Sequence, residues 1–108
     1  MARALSDIQK ALAERILVVD GAMGTSIQNC DLSAEAFGGP DYEGCNEYLN
    51  VMSPEIVESI HQSFLEAGAD IIETNTFGST PLVLEDYGLG AMSEEISRAG
   101  AALARAAA

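Results

Sequence analysis

The chain has 108 residues, 48% of them hydrophobic, which is enough for one small domain with a core. Its formal net charge is −12 at pH 7, from 17 Asp and Glu against 5 Lys and Arg. The basic residues Arg3, Lys10, Arg15, Arg98 and Arg105 all lie near the ends, so the middle of the chain repels phosphate backbones and anionic lipid, which excludes nucleic-acid and membrane partners.

The segment from Leu5 to Glu14 reads as a helix. Ser6 is its expected N-cap, with Gln9 completing a capping box. Ile8, Ala11 and Leu12 give it a narrow apolar stripe. Residues 16–19, Ile-Leu-Val-Val, are a short apolar run that predicts a strand buried on both faces. Residues 21–52 read as one long irregular region, ordered by Leu32, Phe37, Tyr42, Tyr48 and Leu49. A second helix starts with Ser53 as N-cap and Pro54 at the first helical position. Its expected buried face is Ile56, Val57, Ile60, Phe64 and Leu65, and Gly68 ends it. His61 lies at the edge of that stripe and reads as a packed structural histidine. Residues 70–74 predict the second strand. A short helix follows, capped by Thr80, started by Pro81 and ended by Gly88. A last helix begins near Ser93 with the stripe Ile96, Ala99, Leu103 and Ala107.

Two strands joined by a helix lie parallel with a right-handed crossover. The expected fold class is therefore α/β: the first two βα units of a (β/α)8 TIM barrel with an N-terminal capping helix, truncated. A whole barrel takes about 250 residues, so residues 1–108 form an incomplete barrel domain. No signal peptide and no membrane-crossing run is apparent, which predicts a cytoplasmic protein. The acidic excess suits either an ordinary soluble enzyme surface or adaptation to high salt. Cys30 and Cys45 read as reduced thiols, with a disulfide or a metal role as alternatives.

Chemistry in α/β proteins sits at the carboxyl ends of the strands. There the first strand runs into Asp20-Gly-Ala-Met-Gly-Thr25 and the second into Glu73-Thr-Asn-Thr-Phe77. Gly21 and Gly24 allow a tight turn with N–H groups toward a carboxylate or phosphate, while Asp20 suits an amine. Together they fit the two ends of an amino acid; the alternative is a plain strand-to-loop turn capped by Asp20. The glycines do not fit a dinucleotide fingerprint, and no helix is expected to start there. Met23 is a loop residue placed to line the pocket, and Met52 and Met92 fill gaps near helix starts.

These motifs, with Cys45-Asn-Glu-Tyr-Leu-Asn50 and the whole run 67–77, make the chain similar to the homocysteine S-methyltransferase family. The resemblance spans about residues 4–108 and is nearest to the N-terminal homocysteine-binding domain of the cobalamin-dependent members. It implies homocysteine as substrate, held as a thiolate on zinc and methylated by methylcobalamin, with 5-methyltetrahydrofolate as the source of the methyl group through further domains. It also implies a substrate-binding set of Asp20, Gly21, Ala22, Met23, Gly24, Glu73, Asn75 and Thr76. The family's zinc ligands are three cysteines on later strands, two of them adjacent, and this chain has no Cys-Cys pair. The chain alone is therefore expected to hold no zinc and no cobalamin, to contribute no catalytic residue, and to be inactive. Alternatives within the family use S-methylmethionine or betaine as donor. The non-enzyme alternative is a barrel fragment that only self-associates.

Overall fold

The computed structural model describes the backbone of residues 2–108 and the side-chain surroundings of residues 7–108. The chain is mostly helical. Among the described residues six α-helices run in order: α1 Ala2–Glu14, α2 Met23–Asn29, α3 Leu49–Met52, α4 Pro54–Glu66, α5 Pro81–Leu84 and α6 Ser93–Ala107. Single 3₁₀ turns occupy Ala34–Phe37, Pro40–Tyr42, Asn46–Tyr48, Glu85–Tyr87 and Gly90–Met92.

The two expected strands are reduced to one parallel bridge, Val19 to Ile71. The pairing is real but short: Asp70 N–H and Ile71 N–H both donate to the Val18 carbonyl at 2.8 and 3.1 Å, and Asp20 N–H donates to the Ile71 carbonyl at 2.9 Å. The expected burial on both faces is also corrected, because Ile16 is 87% and Val18 55% exposed. A parallel strand acquires its ladder and its cover from neighbours on both sides, and each segment here meets only the other.

Arg15 and Asp70 clamp the start of this pair. The guanidinium donates to both carboxylate oxygens at 2.8 and 2.7 Å, and Val18 N–H adds a third bond to the same carboxylate at 2.9 Å. This fork holds Asp70 well below the usual carboxylate range, at about 2.

Three helix readings change. Helix α1 begins before Ser6, so Ser6 is not its N-cap; the Ser6 side chain lies outside the described residues. Ile8 and Leu12 on its stripe are exposed rather than tucked under a barrel floor. Ser53 stands at the N-terminus of α4 as expected, but its side chain does not cap it. Its Oγ donates instead to the Ala36 carbonyl at 2.6 Å and ties down the 3₁₀ turn Ala34–Phe37. Gly68 ends α4 as expected. At φ 108 it lets its own N–H reach the Leu65 carbonyl and the Ala69 N–H reach the Phe64 carbonyl, both orphaned at the helix end.

Residues 21–52 are largely short helices and turns rather than irregular chain. Each piece is too short to show a periodic stripe, so order is carried by single anchors. Ile27, Phe37, Leu49, Val57 and Ile60 form one buried cluster. Cys45, Tyr48, Leu84, Leu89 and Ile96 form the other. Tyr42 packs on both, edge-on to Tyr48 with ring centroids 5.0 Å apart. Helix α6 lies against α3 and α4. Its buried line is Ile96, Gly100 and Ala104, with Ala99, Leu103 and Ala107 only half-buried on its flank. Thr80 caps α5 as expected, accepting from Val83 N–H at 3.3 Å, and Gly88 closes the turn after it. Among the described residues, no helix is long and apolar enough to cross a membrane.

Candidate functional site

The bridge delivers Asp20 and Glu73 side by side at the same end of the paired segments. Asp20 Oδ1 accepts the Glu73 N–H at 2.9 Å, and this bond closes the floor of a cavity of about 310 Å³. All eight residues expected from the sequence line it: Asp20, Gly21, Ala22, Met23, Gly24, Glu73, Asn75 and Thr76. Thr74, Phe77, Asn46 and Glu47 line it too. A cavity of this size with a few converging polar groups suits a small metabolite.

The local backbone differs from the expected glycine turn. The left-handed residue is Ala22, at φ 55 and ψ 35, while Gly21 and Gly24 are not in that region. A helix does start here: α2 begins at Met23, which is a helical residue packed on the first cluster and not a loop residue. Ser26 N–H bonds to the Ala22 carbonyl, so the N–H groups of Met23, Gly24 and Thr25 ahead of it have no helical acceptor. Met23 and Gly24 are among the residues that line the pocket. A non-glycine residue held left-handed costs on the order of 1–2 kcal/mol, and such strain collects at sites that bind.

The opposite wall comes from the turn Asn46–Tyr48, which sequence reasoning quoted as a motif without assigning it to the pocket. Glu47 Oε2 accepts Gly78 N–H at 3.2 Å. The Asn46 carbonyl accepts from Asn75 Nδ2 at 3.0 Å. A Cβ added at Gly24 would stand 3.8 Å from Asn46 Nδ2, so Asn46 lies over the helix start. The signal for this wall was a polar Asn-Glu pair set between buried Cys45 and Tyr48. Thr74 Oγ1 and Thr76 Oγ1 share a hydrogen bond of 2.6 Å along the rim.

His61 is buried completely, as a structural histidine would be, yet neither ring nitrogen has a hydrogen-bond partner among the described residues. Burial pushes its pKa below the ordinary value, against a weaker upward pull from the Asp20 carboxylate. It is held neutral. The cysteines are free thiols and not a disulfide. Cys30 is exposed at the end of α2, with its thiol donating to the Ser26 carbonyl at 3.3 Å. Cys45 is buried in the second cluster, where burial raises its thiol pKa and disfavours the thiolate that zinc requires. No three His, Cys, Asp or Glu side chains gather as a metal set among the described residues. The donors present here do not fit a zinc site. Met52 is exposed and Met92 packs at the edge of the second cluster.

An acid, a helix start and an acidic second segment thus line one small cavity. The chain belongs to the homocysteine S-methyltransferase family, whose sequence profile matches residues 17–108. It is 44% identical over 100 residues to a methionine synthase of Mycobacterium leprae and 45% identical over 100 residues to one of Mycobacterium tuberculosis. Each match covers 93% of this chain and 8% of the relative, so the chain spans a small part of the proteins it resembles.

Proposed function

We propose that this chain is the opening part of a homocysteine-binding (β/α)8 barrel, residues 1–108 being its first two βα units, in a methionine synthase-type enzyme. The observation that carries this reading is the pocket that joins the carboxyl ends of two parallel segments and is lined by Asp20, Glu73 and the start of α2. Asp20 binds the ammonium of homocysteine. It keeps one carboxylate oxygen for this after giving the other to Glu73 N–H. The N–H groups of the 21–24 segment take the carboxylate, and Asn75, Thr76 and Met23 complete the wall. This end of the substrate is thereby anchored while its thiol points away from the residues described here.

The barrel reading is supported by the exposed apolar residues of both paired segments, Ile16, Val18, Val19 and Ile71, which suit further strands on either side. Zinc, and the methyl transfer from methylcobalamin fed by 5-methyltetrahydrofolate, would belong to other parts of the longer enzyme. We place that enzyme in the cytoplasm. The reading is tested by assaying homocysteine-dependent methyl transfer in the longer protein that carries this segment. Methionine formation with homocysteine, and none with a simple alkyl thiol, is expected. Equal turnover of both thiols would count against an amino-acid site.

A further inference from the structure

Asn50 and Asn75 are both buried, and their amides interlock. Asn50 Nδ2 donates to the main-chain carbonyl of Asn75 at 2.8 Å and to that of Ile96 at 3.3 Å. Main-chain oxygens accept only, so the amide of Asn50 has one possible orientation, with its Oδ1 toward Asn75. Asn75 Nδ2 donates to that Oδ1 at 3.1 Å and to the main-chain carbonyl of Asn46 at 3.0 Å. Both N–H bonds of the Asn75 amide are thus committed inside the protein. Its Oδ1 is left over. Asn75 lines the pocket, and among the described residues only the His61 nitrogens are fully buried without a partner, so this oxygen keeps contact with solvent.

Helix α6 braces the arrangement from behind. A Cβ on Gly100 would stand 2.7 Å from Asn50 Nδ2 and 2.8 Å from Thr76 Cγ2, closer than packed atoms tolerate. Glycine at this point lets the helix seat against Asn50 and the pocket-lining Thr76 together.

We infer that Asn50, seated on Gly100, is a positioning residue that locks Asn75 with its Oδ1 toward the pocket, so that Asn75 reads a hydrogen-bond donor on the ligand, its ammonium group. This rests on the pocket being an amino-acid site. A rotated Asn75 amide would offer N–H groups and suit a carboxylate; the interlock forbids it. Asp20 supplies charge to the ammonium, and Asn75 supplies direction. An ammonium has three N–H donors, so a carboxylate and a neutral acceptor can be met at once.

The test uses the longer enzyme and three thiols: homocysteine, 3-mercaptopropylamine, which lacks the carboxylate, and 4-mercaptobutanoate, which lacks the amine. Calorimetry gives Kd for each with wild type, Gly100→Ala and Asn75→Ser. Both variants are expected to weaken homocysteine and 3-mercaptopropylamine roughly tenfold or more, the loss of one hydrogen bond to a charged group, and to leave 4-mercaptobutanoate within about twofold. The ratio between the two analogues is the readout, because general loosening of the fold lowers both alike. An unchanged ratio in both variants, or a loss confined to 4-mercaptobutanoate, overturns the inference while the amino-acid site stands. Wild type that binds none of the three overturns the site itself.

Discussion

The Asp20 carboxylate and the Glu73 N–H are 2.9 Å apart, so a residue that lines the pocket also ties the two paired segments together. One oxygen of Asp20 holds this bond, and the other has no hydrogen-bond partner among the described residues. Asp20→Asn keeps an accepting oxygen for Glu73 and puts an NH2 donor in place of the second carboxylate oxygen, removing the charge and that acceptor together.

The Arg15–Asp70 fork sets an acid limit. Asp70 is held at about 2, below its ordinary 3.8, so the folded carboxylate binds its proton less readily than the unfolded one. The stability it contributes is present above about pH 4 and is lost as pH falls toward 2. Urea unfolding of wild type and Asp70→Asn is expected to differ at pH 6 and to converge near pH 2. A gap that persists unchanged at low pH would remove Asp70 from the clamp.

His61 sets a second, milder limit. Its folded pKa is lowered by burial, so the unfolded chain binds the proton more readily. Stability is expected to fall as pH drops below about 6.5, the ordinary value, toward the lower folded one. Replacing an unpartnered buried polar group by an apolar one is nearly neutral or stabilising. His61→Leu is therefore expected to flatten the pH dependence between pH 7.5 and 5.5 without lowering stability at pH 7.5, measured as urea midpoints.

Ala22 carries backbone strain at φ 55 that glycine does not. Ala22→Gly is expected to raise stability by about 0.5–1 kcal/mol, the left-handed penalty less the extra entropy of glycine. A thermal melt of the two proteins decides it, and a lowered Tm would show the position unstrained.

The isolated chain exposes Ile16, Val18, Val19, Ile71, Phe77, Leu82 and Val83, several of them beside unpaired backbone. Its charge of −12 opposes association until salt screens it. Sedimentation velocity is expected to show more association at 0.5 M than at 0.02 M sodium chloride. A salt-independent monomer would mean that these residues find cover within the chain.

Helix α4 was legible because Pro54, a stripe over three turns and Gly68 are local signals. The pocket's two sides were legible because apolar runs stop abruptly at polar, glycine-containing segments. The strands at 16–19 and 70–74 were over-read, since a strand is completed by neighbours that no local pattern supplies. The pieces between residues 23 and 52 were missed because none exceeds two turns. Asn50 was missed for a related reason: one polar residue between Leu49 and Val51 reveals nothing of the carbonyls of Asn75 and Ile96 that it meets across the fold.

The central claim is that Asp20 binds the ammonium of homocysteine. Its most direct measurement is the homocysteine Kd of the longer enzyme with Asp20→Asn, beside an unfolding curve of the same variant. An unchanged unfolding curve is expected, because Glu73 N–H keeps its acceptor, with binding weakened by about 1–3 kcal/mol from loss of the charge and of the second accepting oxygen. Homocysteine binding equal to wild type in a folded Asp20→Asn enzyme would contradict it.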